Sequence, residues 1–238
     1  MTADLEEPGS LDLSRYIRPG DLVVWGQACA EPLTLTELLA AQRRHLGGIR
    51  CFTGISRSAA VRPEHGDGLS FVSYTGAGAN RALAEAGRLD ILPSHYSALP
   101  GLLTSGPLRA DVLLLALPPA GPDGTFGLGA GADYAAALIG RARTVIAEVN
   151  DQAPEVAGDR RLRPDEIDVM VAVSRPLPEY PQPPPRPEDA AIAGYVASRT
   201  APPCSLALAR SRRRWRTRCA VTATSVFTRA SSPTRLPG

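Results

Sequence analysis

The residues able to do chemistry sit in four short runs, each following an apolar stretch. Gly26–Pro32 (GQACAEP) carries Gln27, an amide that both donates and accepts, and Glu31, a carboxylate beside Pro32 at the start of a helical pattern. Glu31 either serves a ligand or complements the helix dipole, and both readings stay open. Thr75–Asn80 (TGAGAN) is a turn of small residues. Pro118–Asp133 (PPAGPDGTFGLGAGAD) is a long glycine-rich loop in which Gly127 to Ala132 fits GxGxxA. In dinucleotide sites the first glycine lies at the strand end, where a helix N-terminus meets pyrophosphate. Gly127 instead stands ten residues beyond Leu117, so a plain glycine-rich surface loop is favoured over an NAD site. Asn150–Pro154 (NDQAP) offers Asn150, which either meets a ligand or holds a turn through its side chain. His45, His65 and His95 lack metal-ligand spacing to one another or to any cysteine, and they read as surface or satisfied histidines. Cys29, Cys51, Cys204 and Cys219 form no CxxC pair and read as free thiols of a reducing cytoplasm.

The elements that must position these loops alternate in type. Asp21–Ala28 reads as a buried strand, followed by an amphipathic helix over Leu33–Leu46 with Pro32 near its start. Arg50–Gly54, Ser70–Tyr74 and Asp90–Pro93 are short strand patterns, while Asn80–Glu85 and Leu99–Ser105 are helical. Asp111–Leu117 (DVLLLAL) is the clearest buried strand, with leucines on both faces. Tyr134–Arg143 is an alanine-rich helix feeding the strand Thr144–Asn150, and Val169–Ser174 is a last strand. Strands alternating with helices predict an α/β fold, a mostly parallel sheet with helices on both faces. In such sheets ligands sit at the carboxyl ends of strands, which is where the four runs fall.

The chain has 238 residues, 44% hydrophobic and 21% charged, enough to bury a real core. No apolar run approaches the ~18 residues of a spanning helix, and residues 1–30 lack the order of a secretory signal, so a cytoplasmic protein without a membrane partner is expected. All 26 basic residues are arginine, a mark of GC-rich coding rather than of function. Residues 1–200 hold 18 of them and all 24 acidic residues, whereas residues 201–238 hold 8 arginines and no acid. Seven prolines between Pro176 and Pro187 should keep that stretch extended. The expected organisation is therefore an α/β domain over 1–175, a Pro-rich linker and start of a second domain over 176–200, and a basic tail over 201–238. With no apolar periodicity, the tail is expected to be disordered.

Four segments in order resemble the acetyl-CoA hydrolase and 4-hydroxybutyrate CoA-transferase family: RPGDLVVWGQACAEP (18–32), DVLLLALPPAGPDGTFGLGAGADYAAALI (111–139), ARTVIAEVNDQAPEVAGD (142–159) and EIDVMVAVSRPLPE (166–179). The resemblance covers about residues 15–200 and implies a CoA-transferase-like, Rossmann-like domain, the first of two that enclose an active site. It implies a coenzyme A thioester as substrate with no bound cofactor, a small carboxylate as acceptor, and a glutamate nucleophile in the second domain. No segment here matches that second domain. Shifted by one base, GC-rich codons for the tail permit a string similar to the segment that follows the linker in this family, so the tail reads as non-native. The implied substrate-side residues are Gln27, Glu31, Pro32, Gly127, Asp133 and Asn150, with no catalytic residue and no metal ligand among them.

On this reading the chain acts on an acyl-CoA and a small carboxylate and is inactive alone. The alternatives are a stand-alone acyl-CoA or nucleotide-binding α/β module, and an arginine-tailed nucleic-acid binder, the least favoured because the tail adjoins a metabolic-looking body. No nucleic-acid partner is therefore expected. Trp25, Phe126 and Leu128 are expected to be partly uncovered beside the loops, so the body should self-associate as a homo-oligomer.

Overall fold

Val112–Leu117 is apolar at every position and buried at every position, which a central strand of a doubly covered sheet requires. In the computed structural model, which describes residues 5–179, 184 and 186–198, it is one of eight parallel strands. These are β1 (Leu5–Glu6), β2 (Leu22–Trp25), β3 (Ile49–Phe52), β4 (Leu69–Ser73), β5 (Leu89–Ile91), β6 (Val112–Leu117), β7 (Thr144–Asn150) and β8 (Val169–Val173). Their order across the sheet is β1-β8-β7-β6-β2-β3-β4-β5. The chain therefore winds outward from β2 to β5, returns to lay β6 on the other side of β2, and winds outward again to β8. The longest ladder joins β6 to β7, from Val112 opposite Thr144 to Leu117 opposite Val149.

Two cores follow from the two-residue period of the strands. Leu113, Leu115 and Leu117 face one side with Leu22, Val24, Phe52 and Val72, against α3 (Leu99–Thr104) and a 3-10 turn at Tyr134–Leu138. Val112 and Leu114 face the other with Val23, Trp25, Cys51 and Phe71, against α1 (Leu33–Gln42) and α2 (Asn80–Glu85). Helices thus cover both faces, as the alternating pattern predicts. The Cys51 thiol is pushed far above its ordinary pKa by burial, which keeps it protonated and inert, while Cys29 is half-buried.

Several expectations need correction. The helix expected over Tyr134–Arg143 is only a 3-10 turn over Tyr134–Leu138: Ile139 is already extended at ψ 124°, and Gly140 follows at φ 74°. The first helix stops at Gln42 and tightens into a 3-10 turn at Arg43–His45. β1 was not legible, being a two-residue edge strand paired only with β8. Trp25, Phe126 and Leu128 are 1%, 6% and 9% exposed, not partly uncovered. Phe126 is pinned by an antiparallel bridge to Leu162, with backbone hydrogen bonds of 2.8 and 2.9 Å, which folds the glycine-rich loop back over its own apolar residues. Those three side chains therefore offer no exposed apolar surface for self-association.

The contacts divide the chain into two units, Met1–Tyr180 and Pro181–Gly238. In the second, α4 (Pro187–Ser198) begins with a proline, and the Asp189 carboxylate accepts the Arg186 N–H at 2.8 Å. This helix lies within the 176–200 stretch expected to hold a Pro-rich linker and the start of a second domain. The expectations of a disordered, non-native tail over 201–238 lie outside the described residues. Among the described residues no helix is long and apolar enough to cross a membrane.

Candidate active site

The winding reverses between β2 and β6, and the loops leaving those two strands are Gly26–Pro32 and Pro118–Asp133. At such a switch point adjacent loops diverge above the sheet and leave a crevice for a ligand. Here the two loops are bridged. The Asp133 carboxylate accepts the Gln27 backbone N–H at 2.8 Å and the Ala135 N–H at 2.8 Å, so one side chain caps the 3-10 turn and ties the two loops together. Burial raises the Asp133 carboxyl above its ordinary range, and those two N–H groups pull it back.

The Gln27 side chain is fixed on three sides. Its Oε1 accepts the Ile55 N–H at 3.1 Å and the Tyr74 hydroxyl at 2.8 Å, and its Nε2 donates to the Tyr96 hydroxyl at 3.2 Å. Tyr96 stacks edge-on with Tyr74 at 5.7 Å between centroids and with Tyr134 at 6.2 Å. Tyr134 meets Phe52 at 5.3 Å and donates its hydroxyl to the Trp25 carbonyl at 2.8 Å. Burial pushes the Tyr96 phenol up to about 12, with Asp133 adding to the rise, and burial likewise holds the Tyr134 phenol well above its ordinary range. Gly54 makes this convergence possible. A Cβ there would stand 2.5 Å from Gln27 Oε1 and 2.7 Å from the Tyr134 hydroxyl. Residues following five neighbouring strands, β6-β2-β3-β4-β5, thus meet in one aromatic and amide cluster.

The loop after β2 holds its shape under strain. Ala28 takes φ 55°, a left-handed conformation costing a side-chain-bearing residue about 1–3 kcal/mol. Its N–H is held by the Ile55 carbonyl at 2.9 Å. Glu31 is 1% exposed, and its oxygens accept from the hydroxyls of Ser56 and Ser58 and from the N–H groups of Arg57 and Ser58. Glu31 therefore fastens the 56–58 turn, and the α1 dipole is met by another group. That group is Glu148 on β7, whose Oε2 accepts the Thr34 and Leu35 N–H groups at 2.8 and 3.1 Å. Burial raises its carboxyl to about 7.

The remaining expected residues lie apart from the cluster or serve the backbone. Pro32 is buried as the residue preceding α1. Gly127 is buried where a Cβ would stand 2.9 Å from Glu155 Oε2. Asn150 is buried, donating to the Arg175 carbonyl at 2.8 Å and accepting the N–H groups of Gln152 and Arg175, so it ties the end of β7 to the chain leaving β8. A separate groove of about 580 Å³ runs along α1 past Arg43, His65 and Arg175. Arg43 is held by Asp67 and Arg175 by Glu37, so its charges are largely spent. Of the expected residues, Gln27 and Asp133 come together. Tyr74, Tyr96 and Gly54 were missed, and only Tyr134 carried a sequence signal, directly after Asp133 in the glycine-rich loop motif.

Residues 10–177 match the family described as the acetyl-CoA hydrolase/transferase N-terminal domain. The chain belongs to that family. It is 24% identical to the succinyl-CoA:cyclohexane-1-carboxylate CoA transferase of Geobacter metallireducens, over 79% of this chain and 43% of that protein. It is 28% identical to the 4-hydroxybutyrate coenzyme A transferase of Clostridium kluyveri, over 68% of this chain and 38% of that protein. Among solved structures, RipA from Yersinia pestis superposes with a TM-score of 0.73 at 26% identity, over 82% of this chain and 48% of that one. The chain thus spans under half the length of these relatives.

Proposed function

We propose that the α/β unit forms one wall of an acyl-CoA site in an enzyme that passes CoA from an acyl-CoA thioester to a small carboxylate, or to water. The observation that carries this is the Gln27–Asp133 bridge, set at the switch-point crevice in a member of the acetyl-CoA hydrolase/transferase family. The resemblance implies the rest of the chemistry. A glutamate of a second domain attacks the thioester carbonyl and expels the CoA thiolate; the thiolate then attacks the glutamyl carbonyl of the anhydride and releases the acyl group as its carboxylate. The glutamyl-CoA thioester is hydrolysed by water, or gives its CoA to an incoming carboxylate by the reverse sequence, which frees the glutamate. On this reading Gln27 faces the substrate. Glu31, Pro32, Gly127, Asp133 and Asn150 shape the loops that bound the crevice, and no residue of this chain serves as the nucleophile.

The chain by itself is therefore expected to bind acyl-CoA without turning it over, since proximity of the reacting groups supplies much of the barrier reduction. The test is hydrogen exchange with and without acetyl-CoA, alongside a CoA-exchange assay with a carboxylate acceptor. Slowed exchange in 26–32 and 118–133, with exchange of CoA at background, is the expected result. Unchanged loops would sink the binding reading, and turnover near the ~10 per second of an ordinary enzyme would sink the inactivity.

A further inference from the structure

We infer that the Tyr96 hydroxyl is the hydrogen-bond donor that this wall presents to the acyl carbonyl oxygen of a bound thioester. The inference rests on the proposed acyl-CoA site and adds to it the group that recognises the acyl end.

The Gln27 amide has one direction here. Ile55 N–H and the Tyr74 hydroxyl both donate to Gln27 Oε1, which leaves Nε2 as the end that faces Tyr96. An N–H there makes the Tyr96 oxygen an acceptor, and the Tyr134 backbone amide acts on the same oxygen. With its acceptor side occupied from within, Tyr96 can use its remaining function, the O–H, only outward. Among the described residues that O–H donates to no group, and Tyr96 is 42% exposed. Edge-on contacts with Tyr74 and Tyr134 hold the ring, so the hydroxyl is aimed before a ligand arrives and little freedom is lost on binding.

The kind of oxygen it meets follows from charge. The Asp133 carboxyl lies within electrostatic reach of the phenol, and its negative charge opposes a second anion beside it. A thioester carbonyl is a neutral acceptor, so it suits the position better than a free carboxylate does. The raised phenol pKa, about 12, keeps Tyr96 a donor across the physiological range.

The test compares acetyl-CoA with S-ethyl-CoA, which carries a methylene in place of the carbonyl, by calorimetric titration of the full chain. The unchanged chain should prefer acetyl-CoA about fivefold, the worth of one neutral hydrogen bond. Tyr96→Phe should abolish the preference, leave S-ethyl-CoA affinity unchanged, and keep the thermal midpoint. In the unchanged chain the Tyr96 Cζ carbon resonance should shift with acetyl-CoA and stay put with S-ethyl-CoA, a readout independent of the variant's folding. A preference that survives Tyr96→Phe, an equal loss of both ligands, or a still resonance overturns the assignment and leaves the acyl-CoA site standing. Failure of the unchanged chain to bind either ligand overturns both.

Discussion

Glu148 should make this fold lose stability as pH rises from about 4.5 to 7. Its carboxylate is 2% exposed at the N-terminus of α1, where it accepts the Thr34 and Leu35 N–H groups. Burial lifts its pKa from 4.5 to about 7 against the downward pull of those N–H groups and of Arg175. An acid whose folded pKa lies above its unfolded value stays protonated in the folded chain while the unfolded chain has already ionised. Between about pH 4.5 and 7 the folded state therefore holds the extra proton, and raising pH through that window removes stability. At ~1.4 kcal/mol per pH unit the loss reaches ~3 kcal/mol by pH 8.

Glu148→Gln keeps an oxygen to accept both N–H groups but cannot ionise. The Glu37–Arg175 pair is left in place, so its contribution cancels between the two proteins. Urea unfolding of both, followed by tryptophan fluorescence at pH 4, 6 and 8, gives the difference in stability at each pH. That difference should move in favour of the variant by ~3 kcal/mol from pH 4 to pH 8, the span of the Glu148 titration. A difference that does not change with pH would refute the reasoning, because it would mean that Glu148 titrates alike in the folded and unfolded chains.

Gly54→Ala should destabilise by about 1–3 kcal/mol, since its Cβ would press on Gln27 and on the Tyr134 hydroxyl; a thermal melt measures the cost. If the Gln27 amide is displaced as expected, the preference for acetyl-CoA over S-ethyl-CoA should disappear with it. Asp21 accepts both Arg143 nitrogens, at 3.0 and 2.6 Å, and although burial opposes it, the Arg143 bonds hold its pKa below the usual range. That contribution is present above the unfolded pKa and is lost as pH falls through the folded one. Asp21→Asn should therefore cost about 1–3 kcal/mol near neutral pH, tempered by the partial exposure of Arg143, and little in acid; equal costs at both would contradict it.

The Gln27–Tyr96–Asp133 arrangement shows how little of a site need be rigid by itself. The loop after β2 contains a strained alanine and no regular helix beyond one 3-10 turn, yet its backbone is held at two points by groups from elsewhere in the chain. Ile55 holds Ala28, and Asp133 holds Gln27. Each anchor is a backbone N–H satisfied by a distant acceptor, so the loop is positioned by the same accounting of buried polar groups that orders the sheet.

The sequence by itself determined seven of the eight strands and the class of fold. Val112–Leu117 reads as a buried strand because every position is apolar, and Thr144–Asn150 because Val145, Ile146, Ala147 and Val149 carry the same pattern around Glu148, as a parallel sheet buried on both faces demands. It also determined that the loops after strands would carry the polar groups, which brought Gln27 and Asp133 to notice. Tertiary structure alone decided their partners. Glu31 could have served α1 or a ligand, and packing gave it to the 56–58 turn while Glu148, more than a hundred residues away in sequence, took the helix end. Asn150 was given to Arg175, and Tyr96 to Gln27, by the order in which strands lie side by side. That order is fixed by contacts between distant segments. A side chain's local sequence sets which hydrogen bonds it can make; the strand order sets which of them it does make.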